Sequence, residues 1–258
     1  MSRQKGMDAE EIVQTIKRSR LINIVVEGIT DRAALFRLLE EGLNRELSDI
    51  SIIQCGGRSV LLAVFERRAE YERTPTVFIA DNDLWLFTKR PGGLDEIIFT
   101  TGYSIENDIY KKNIEALLST AERKYFAKAL ENVCLYFAYA VFCKKKSIEP
   151  ALSHSLHPDQ ILSGDHCLKG NLTPRLPKNM ANEFRRFHRG IHSSYTRKLR
   201  GHTLIFCLVR FLSKKERDVK HSAASLLAVM MTVNGPSRAL QRLVERVVER
   251  VKRTNELA

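Results

Sequence analysis

The sequence predicts an α/β fold in which a mainly parallel sheet is followed by a mainly α-helical C-terminal portion. Three observations lead there. Apolar, β-branched runs at LINIVVEG (21–28), DISIIQC (49–55), TPTVFIAD (74–81) and EIIFTT (96–101) read as buried strands. The first three are separated by stretches of helical periodicity, and such alternation predicts parallel strands joined by right-handed crossovers. Beyond residue 104 strand-type runs cease and helical spacing takes over.

The elements follow in order. EEIVQTIKR (10–18) reads as a short amphipathic lead-in helix. Residues 30–46 carry Ala33, Leu35, Phe36, Leu38, Leu39 and Leu43 at helical spacing, with Thr30 placed as N-cap and Asp31 in the first turn. Gly56-Gly57 closes the second strand, and SVLLAVFERRAEY (59–71) is the next helix. Residues 112–143 are helical around VCLYFAYAVFC, 147–180 read as irregular, and 181–213, 215–232 and 236–256 return to helix. The last of these, RALQRLVERVVERVKR, has an apolar stripe that packs either on the domain or on a second subunit, so a homodimer is expected. The expected division is a core over about 20–110 and a helical region over 111–258, which would supply substrate and oligomer contacts.

Composition narrows the class. Of 258 residues, 44% are hydrophobic and 28% charged, which suits a packed core and argues against disorder. No uninterrupted apolar run reaches the roughly 18 residues of a membrane span. The charged start MSRQKGMDAEE lacks the apolar region of a secretory signal, so a cytoplasmic protein without membrane attachment is expected. Five cysteines without a CxxC pair argue against a zinc site or a disulfide framework, and buried thiols are expected instead. The net charge of +12 favours polyanionic partners, nucleic acid first. Its cations concentrate late, in KKK (144–146), FRRFHR (184–189) and TRKLR (196–200).

The chemistry rests on VVEGITD (25–31), FIADND (78–83) and YSIEND (103–108). In open parallel sheets ligands bind outside the carboxyl ends of the strands, where Glu27 and Asp81 both fall. Asp81 and Asp83, two apart in an extended segment, point the same way. Carboxylates aimed at one point repel, and a divalent cation resolves the repulsion; Mg²⁺ suits few carboxylates and several waters, with Mn²⁺ as its substitute. Glu27 is then a further metal ligand or a general acid/base beside the metal. Glu-Gly alone or Asp-Asn-Asp alone is an ordinary turn; on strands of one βαβ pattern they form a metal site.

An apolar strand ending in Glu-Gly, followed by one ending in Asp-x-Asp, resembles the TOPRIM domain shared by topoisomerases, primases and overcoming-lysogenization-defect (OLD) nucleases. VEGITD, QCGGRSV (54–60), ADND, YSIEN and RGHTLIFCLVRFL (200–212) are similar to the OLD-related family found beside ABC-type ATPases in bacterial phage-defence operons, which includes the TOPRIM effector of the PARIS system. The resemblance runs over most of 20–213, with its sharp motifs in the first hundred residues. It implies a Mg²⁺-dependent nuclease held or triggered by an ABC-type ATPase partner, with RNA, including tRNA, or DNA as substrate. By position it implies Glu27 as acid/base or metal ligand, Asp81 and Asp83 as metal ligands, Asp31 at a second metal, and Glu106 as an additional acidic residue. Asp31 is also explained as a complement to the helix dipole.

Family members often carry a lysine after the late glycine where this chain has Gly201-His202. His202 would then stand in for it, or Arg58, Lys169 or Lys198 would. FRRFHRGIHSSYTRKLR (184–200) interleaves Phe184, Phe187 and Tyr195 with cations, a pattern suited to a nucleic-acid groove, or to an amphipathic helix with a solvated basic face. The expected nucleic-acid contacts are Arg58, Lys169, Arg185, Arg186, Arg189, Arg197, Lys198 and Arg200. His154, His157 and His166, near Asp159 and Asp165, match no zinc spacing and read as loop histidines. Trp85 reads as a packing residue or a base-stacking one. Two alternatives stand beside the nuclease: a Mg²⁺-binding module without turnover that regulates an ATPase, and another TOPRIM chemistry. A topoisomerase needs a nucleophilic tyrosine and further domains, and a primase normally needs a zinc-binding segment.

Overall fold

A computed structural model describes residues 6–43, 49–149, 152–233 and 235–256. In chain order its main elements are α1 (Ala9–Arg18), β1 (Ile22–Val26), α2 (Ile29–Leu43), β2 (Ile50–Gln54), α3 (Arg58–Glu66), β3 (Thr76–Ala80), β4 (Ile97–Phe99), α4 (Ile105–Ile109), α5 (Thr120–Lys146), α6 (Pro158–Ile161), α7 (Ala181–His192), α8 (Tyr195–Lys198), α9 (Gly201–Leu212), α10 (Ala223–Thr232) and α11 (Arg238–Glu256). All four strands are parallel, in the order β2-β1-β3-β4. The predicted α/β class, with a parallel sheet and a largely helical C-terminal portion, is what forms.

The chain makes two compact units. The first holds the described residues up to Asn82, Arg90–Thr101 and those from Arg238 onward; the second holds Asp83–Lys89 and Gly102–Ser237. In the first unit β1 is buried along its whole length, which is why its sequence runs apolar without alternation. The chain leaves β1 for β2 on one side and returns from β2 to β3 on the other. Right-handed crossovers in opposite directions place their helices on opposite faces and open a crevice at the ends of β1 and β3. α1 packs on α3, and α11 packs on α2, β3 and β4. The stripe of α11, Leu240, Leu243, Val244, Val247 and Val251, is buried there, so of the two places the sequence left open for it the sheet is the one used.

In the second unit α5 packs on α7 and α9. Its 27 residues are long and apolar enough to cross a membrane by length and composition, but 67% of its most apolar window is buried in the fold, as in a core helix. Four of the five cysteines are buried free thiols, and Cys167 is half-buried.

Two local expectations shift, and one lies beyond the described residues. α2 starts at Ile29, so Thr30 lies inside its first turn and is not the N-cap; the Asp31 carboxylate accepts the Gly28 N–H (2.6 Å) and closes that end instead. Residues 44–46 of the predicted helix lie outside the described residues. The helix expected over 215–232 begins only at Ala223, where Ser222 caps it.

Leu243 is fully buried. Leu243→Ala is expected to cost about 2–5 kcal/mol, read by denaturant unfolding, with a midpoint independent of protein concentration. A midpoint that fell on dilution would place the stripe between subunits.

Candidate functional site

Register sets the site's first half. Val26 pairs with Ile79, so Glu27 leaves β1 one residue short of Asp81 on β3. The Asp81 N–H donates to Glu27 Oε1 (2.9 Å), and the same oxygen accepts from Arg58 Nε and Nη2 (both 3.3 Å). Arg58 Nη2 also donates to the Asp81 carbonyl. The pair is largely sheltered, Arg58 at 20% and Glu27 at 13% side-chain exposure. Arg58 gets there because Gly56 (φ +74°) and Gly57 (φ +146°) turn the chain sharply between β2 and α3 through conformations that favour glycine. A cation in the first turn of a helix opposes the helix dipole. The carboxylate of Glu27 and the carbonyl of Asp81 offset that cost. Nearby, burial and then the Glu27 charge push the Cys55 thiol up to about 12.

Asp31 is buried, with its carboxylate on the Gly28 amide. The helix-terminal role foreseen for it is therefore visible in the geometry. The turn after β3 is tied to β4 by the buried Asn82, whose backbone N–H donates to Thr100 Oγ1 (3.1 Å) and whose side chain donates to the Thr100 carbonyl. Asp83 has φ +47°, a left-handed conformation that aspartate tolerates better than most residues, and its N–H donates to the Tyr103 carbonyl (2.7 Å). It opens a 3-10 turn, so the chain is not extended there and the strand alternation expected to aim Asp81 and Asp83 alike does not apply.

Within the second unit, YSIEND meets RGHT. Tyr103 N–H donates to the Arg197 carbonyl (2.8 Å), Gly102 N–H to Asp108 Oδ1 (2.7 Å), and Asn107 Nδ2 to the carbonyls of Thr196 (2.8 Å) and Leu199 (2.9 Å). Glu106 accepts from Ser104 Oγ. Gly201 opens α9 against this turn so closely that a Cβ there would collide with Ser104 Oγ and lie 2.7 Å from Glu106 Cβ. His202 follows on the exposed side, its ring 4.5 Å from that of Phe206.

The basic residues divide. Arg185, Arg186, Arg189 and Arg197 are exposed. Lys198 donates to the Gly190 carbonyl (3.0 Å), Arg200 to that of Ser155 (3.5 Å) and Lys169 to that of Asp159 (2.7 Å). The aromatic residues among them face inward. Phe184 is buried against Phe142, Phe187 packs on Phe87 and Phe142, and the Tyr195 hydroxyl bonds Glu115. The interleaving in sequence is thus helical amphipathicity: at 3.6 residues per turn the rings take one face and the cations the other. His157 accepts the Asp159 N–H (3.3 Å) and caps α6, and His166 packs on Phe211. Trp85 sits half-buried in the short 3-10 turn Asp83–Leu86.

Sequence reasoning missed the two asparagines, Asn82 and Asn107, and the buried Asp108. All three stood inside the quoted motifs, but a buried amide that ties loops is indistinguishable in one sequence from an exposed turn residue.

Gly201→Ala is expected to cost about 1–3 kcal/mol through overpacking, seen as a lower melting temperature, while Gly164→Ala, with open space around it, leaves it unchanged. His188 gives a pH prediction. Its Nε2 is buried without a hydrogen-bond partner. Burial, then His192, hold its pKa below 6.5, with Glu131 opposing. The unfolded chain therefore protonates first. The stability due to the neutral ring is present above pH 6.5 and lost as pH falls through the depressed value. Melting curves from pH 8 to 5 should fall more steeply for the wild type than for His188→Gln; parallel curves would refute this.

Among the described residues no three His, Cys, Asp or Glu side chains converge as a ready metal cluster. The donor chemistry at the sheet edge nevertheless fits a hard divalent ion: carboxylate residues end two adjacent strands, and Arg58 meets one of them at the Glu27 carboxylate and the other at the Asp81 backbone carbonyl. No curated protein matches the chain. Residues 23–83, which run from β1 through β3 to Asp83, match the family model described as "Overcoming lysogenization defect protein-like, TOPRIM domain". The match supports an OLD-like TOPRIM domain over that segment, and with it a metal-binding function of the nucleotidyl-transfer or nuclease type.

Proposed function

We propose that this chain is a Mg²⁺-dependent endonuclease that cleaves phosphodiester bonds in RNA, tRNA included, or in DNA. The observation that carries the reading is the contact across β1 and β3, where the Asp81 amide donates to Glu27 Oε1 at 2.9 Å and so brings the two TOPRIM carboxylate positions to one edge of the sheet. Glu27 and Asp81 would hold the ion, with Asp31 as an additional carboxylate. Bound there, Mg²⁺ would offset charge gathering on the phosphate. Where it does not ligate the ion, Glu27 would orient the attacking water or ribose hydroxyl and accept its proton. Arg58, already bonded to Glu27 and to the Asp81 carbonyl, would keep that carboxylate aimed and face the phosphate with its remaining charge.

The biological reading is an effector of anti-phage defence, held or triggered by an ABC-type ATPase partner. It rests on the motifs shared with the OLD-related family. A second reading, a Mg²⁺-binding regulatory module without turnover, is favoured by one observation: the Arg58–Glu27 pair already neutralises the carboxylate that chemistry would need.

Glu27→Gln and Asp81→Asn separate the two. Each keeps the side chain's shape. Expressed with the ATPase and challenged with phage, the wild type should yield discrete RNA or DNA fragments, and each variant should lower cleavage by about 10²-fold or more. Equal cleavage by equally expressed variants would overturn the nuclease reading. Fragments from none of the three would favour the regulatory one.

A further inference from the structure

Within the first unit three guanidinium groups gather at the carboxyl edge of β3 and β4. Arg58 donates to the Asp81 carbonyl, and Arg90 Nη2 donates to Asn82 Oδ1 (2.7 Å). Arg246 Nη1 donates to the Phe99 carbonyl (2.9 Å). Arg90 also lies over the Phe99 ring, its guanidinium carbon 3.5 Å from the ring centroid. Arg90 and Arg246 thus converge on one residue, from its ring and from its carbonyl. Arg90 and Arg58 sit on adjacent residues of one turn. The three come from α3, from the segment that enters β4, and from α11. Only the tertiary fold assembles them.

We propose that Arg90 and Arg246 form a phosphate clamp that holds the nucleic-acid backbone against the strand edge carrying Glu27 and Asp81. The substrate class rests on the nuclease reading; the residues and their role go beyond it. Stacking on Phe99 fixes the guanidinium plane of Arg90, and a planar, oriented guanidinium presents paired N–H groups that match phosphate oxygens. Arg90 and Arg246 are both exposed, so a backbone can reach them. Gathering like charges is unfavourable without an anion. Burial, then Arg246 and Arg58, pull the Arg90 pKa below its usual value, with Asp95 opposing them. Glu27 neutralises Arg58 within the fold, while Arg90 and Arg246 meet only uncharged groups in the bonds named above; a phosphodiester backbone would relieve the repulsion between those two.

The test is binding without turnover. The full-length chain in metal-free buffer with chelator is titrated against fluorescent RNA and DNA oligonucleotides of one mixed sequence, over a salt series. Arg90→Gln and Arg246→Gln should each weaken binding about tenfold at 0.1 M salt and lower the slope of log K against log[salt] by about 1. Arg90→Lys and Arg246→Lys should regain the slope, since each restores the charge. Lys252→Gln, which removes the same charge from another face of α11, should bind within about twofold of wild type. Melting curves identify any variant that fails to fold, and the lysine variants then carry the comparison. The RNA and DNA arms identify which backbone is held. Glutamine variants that bind like Lys252→Gln, or a wild type that binds neither oligonucleotide, would overturn the clamp. A chain that binds through these arginines but never cleaves would sink the nuclease reading and leave the clamp standing.

Discussion

Glu27 leaves a fully buried strand carrying a charge, and much of the sheet edge answers to it. A carboxylate moved away from water is costly unless donors replace the water it loses. Here one oxygen takes the amide of Asp81 and the guanidinium of Arg58. The first donor exists because β3 lies beside β1 in a register that places Asp81 one step beyond Glu27. The second exists because β2 lies on the other side of β1, so that α3 begins close to the end of β1 and its first residue can reach across. A change in strand order would remove both donors together.

The turns that carry the motif residues are held by another device, the buried side-chain amide. Asn82 ties the end of β3 to Thr100, and Asn107 ties the YSIEND turn to the carbonyls of Thr196 and Leu199. An amide offers donors and an acceptor on one short, uncharged group, so it satisfies loose backbone ends that neither a carboxylate nor an apolar side chain could. Each turn is thereby held within its own unit, that of Asp81 in the first and that of Glu106 in the second. Such preorganisation suits chemistry that depends on charge placement.

Legibility in the sequence followed the range of the interaction. The strands were readable because burial on both faces removes alternation, and α11 was readable from its stripe. The Glu-Gly and Asp-x-Asp strand ends stood out because they interrupt apolar runs. The N-cap at Thr30 was misplaced by one turn's ambiguity, since Gly28, Thr30 and Asp31 all suit a helix start. The aromatic residues of α7 looked like part of a binding surface because a linear string does not separate the two faces of a helix that also carries cations. Arg90 and Arg246 were invisible as a pair, being 156 positions apart with nothing local to mark either.

By itself the sequence determined the α/β class, the strands and most of the helical segments, the carboxylates at the strand ends and the cationic excess. These depend on periodicity and composition, which act over a few residues. The tertiary structure decided the strand order and register, the pairing of Arg58 with Glu27, the docking of α11 on the sheet and the meeting of Gly201 with the YSIEND turn. Those depend on which distant surfaces bury each other best. That choice is made by the summed packing of the whole chain and is written in no single segment of it.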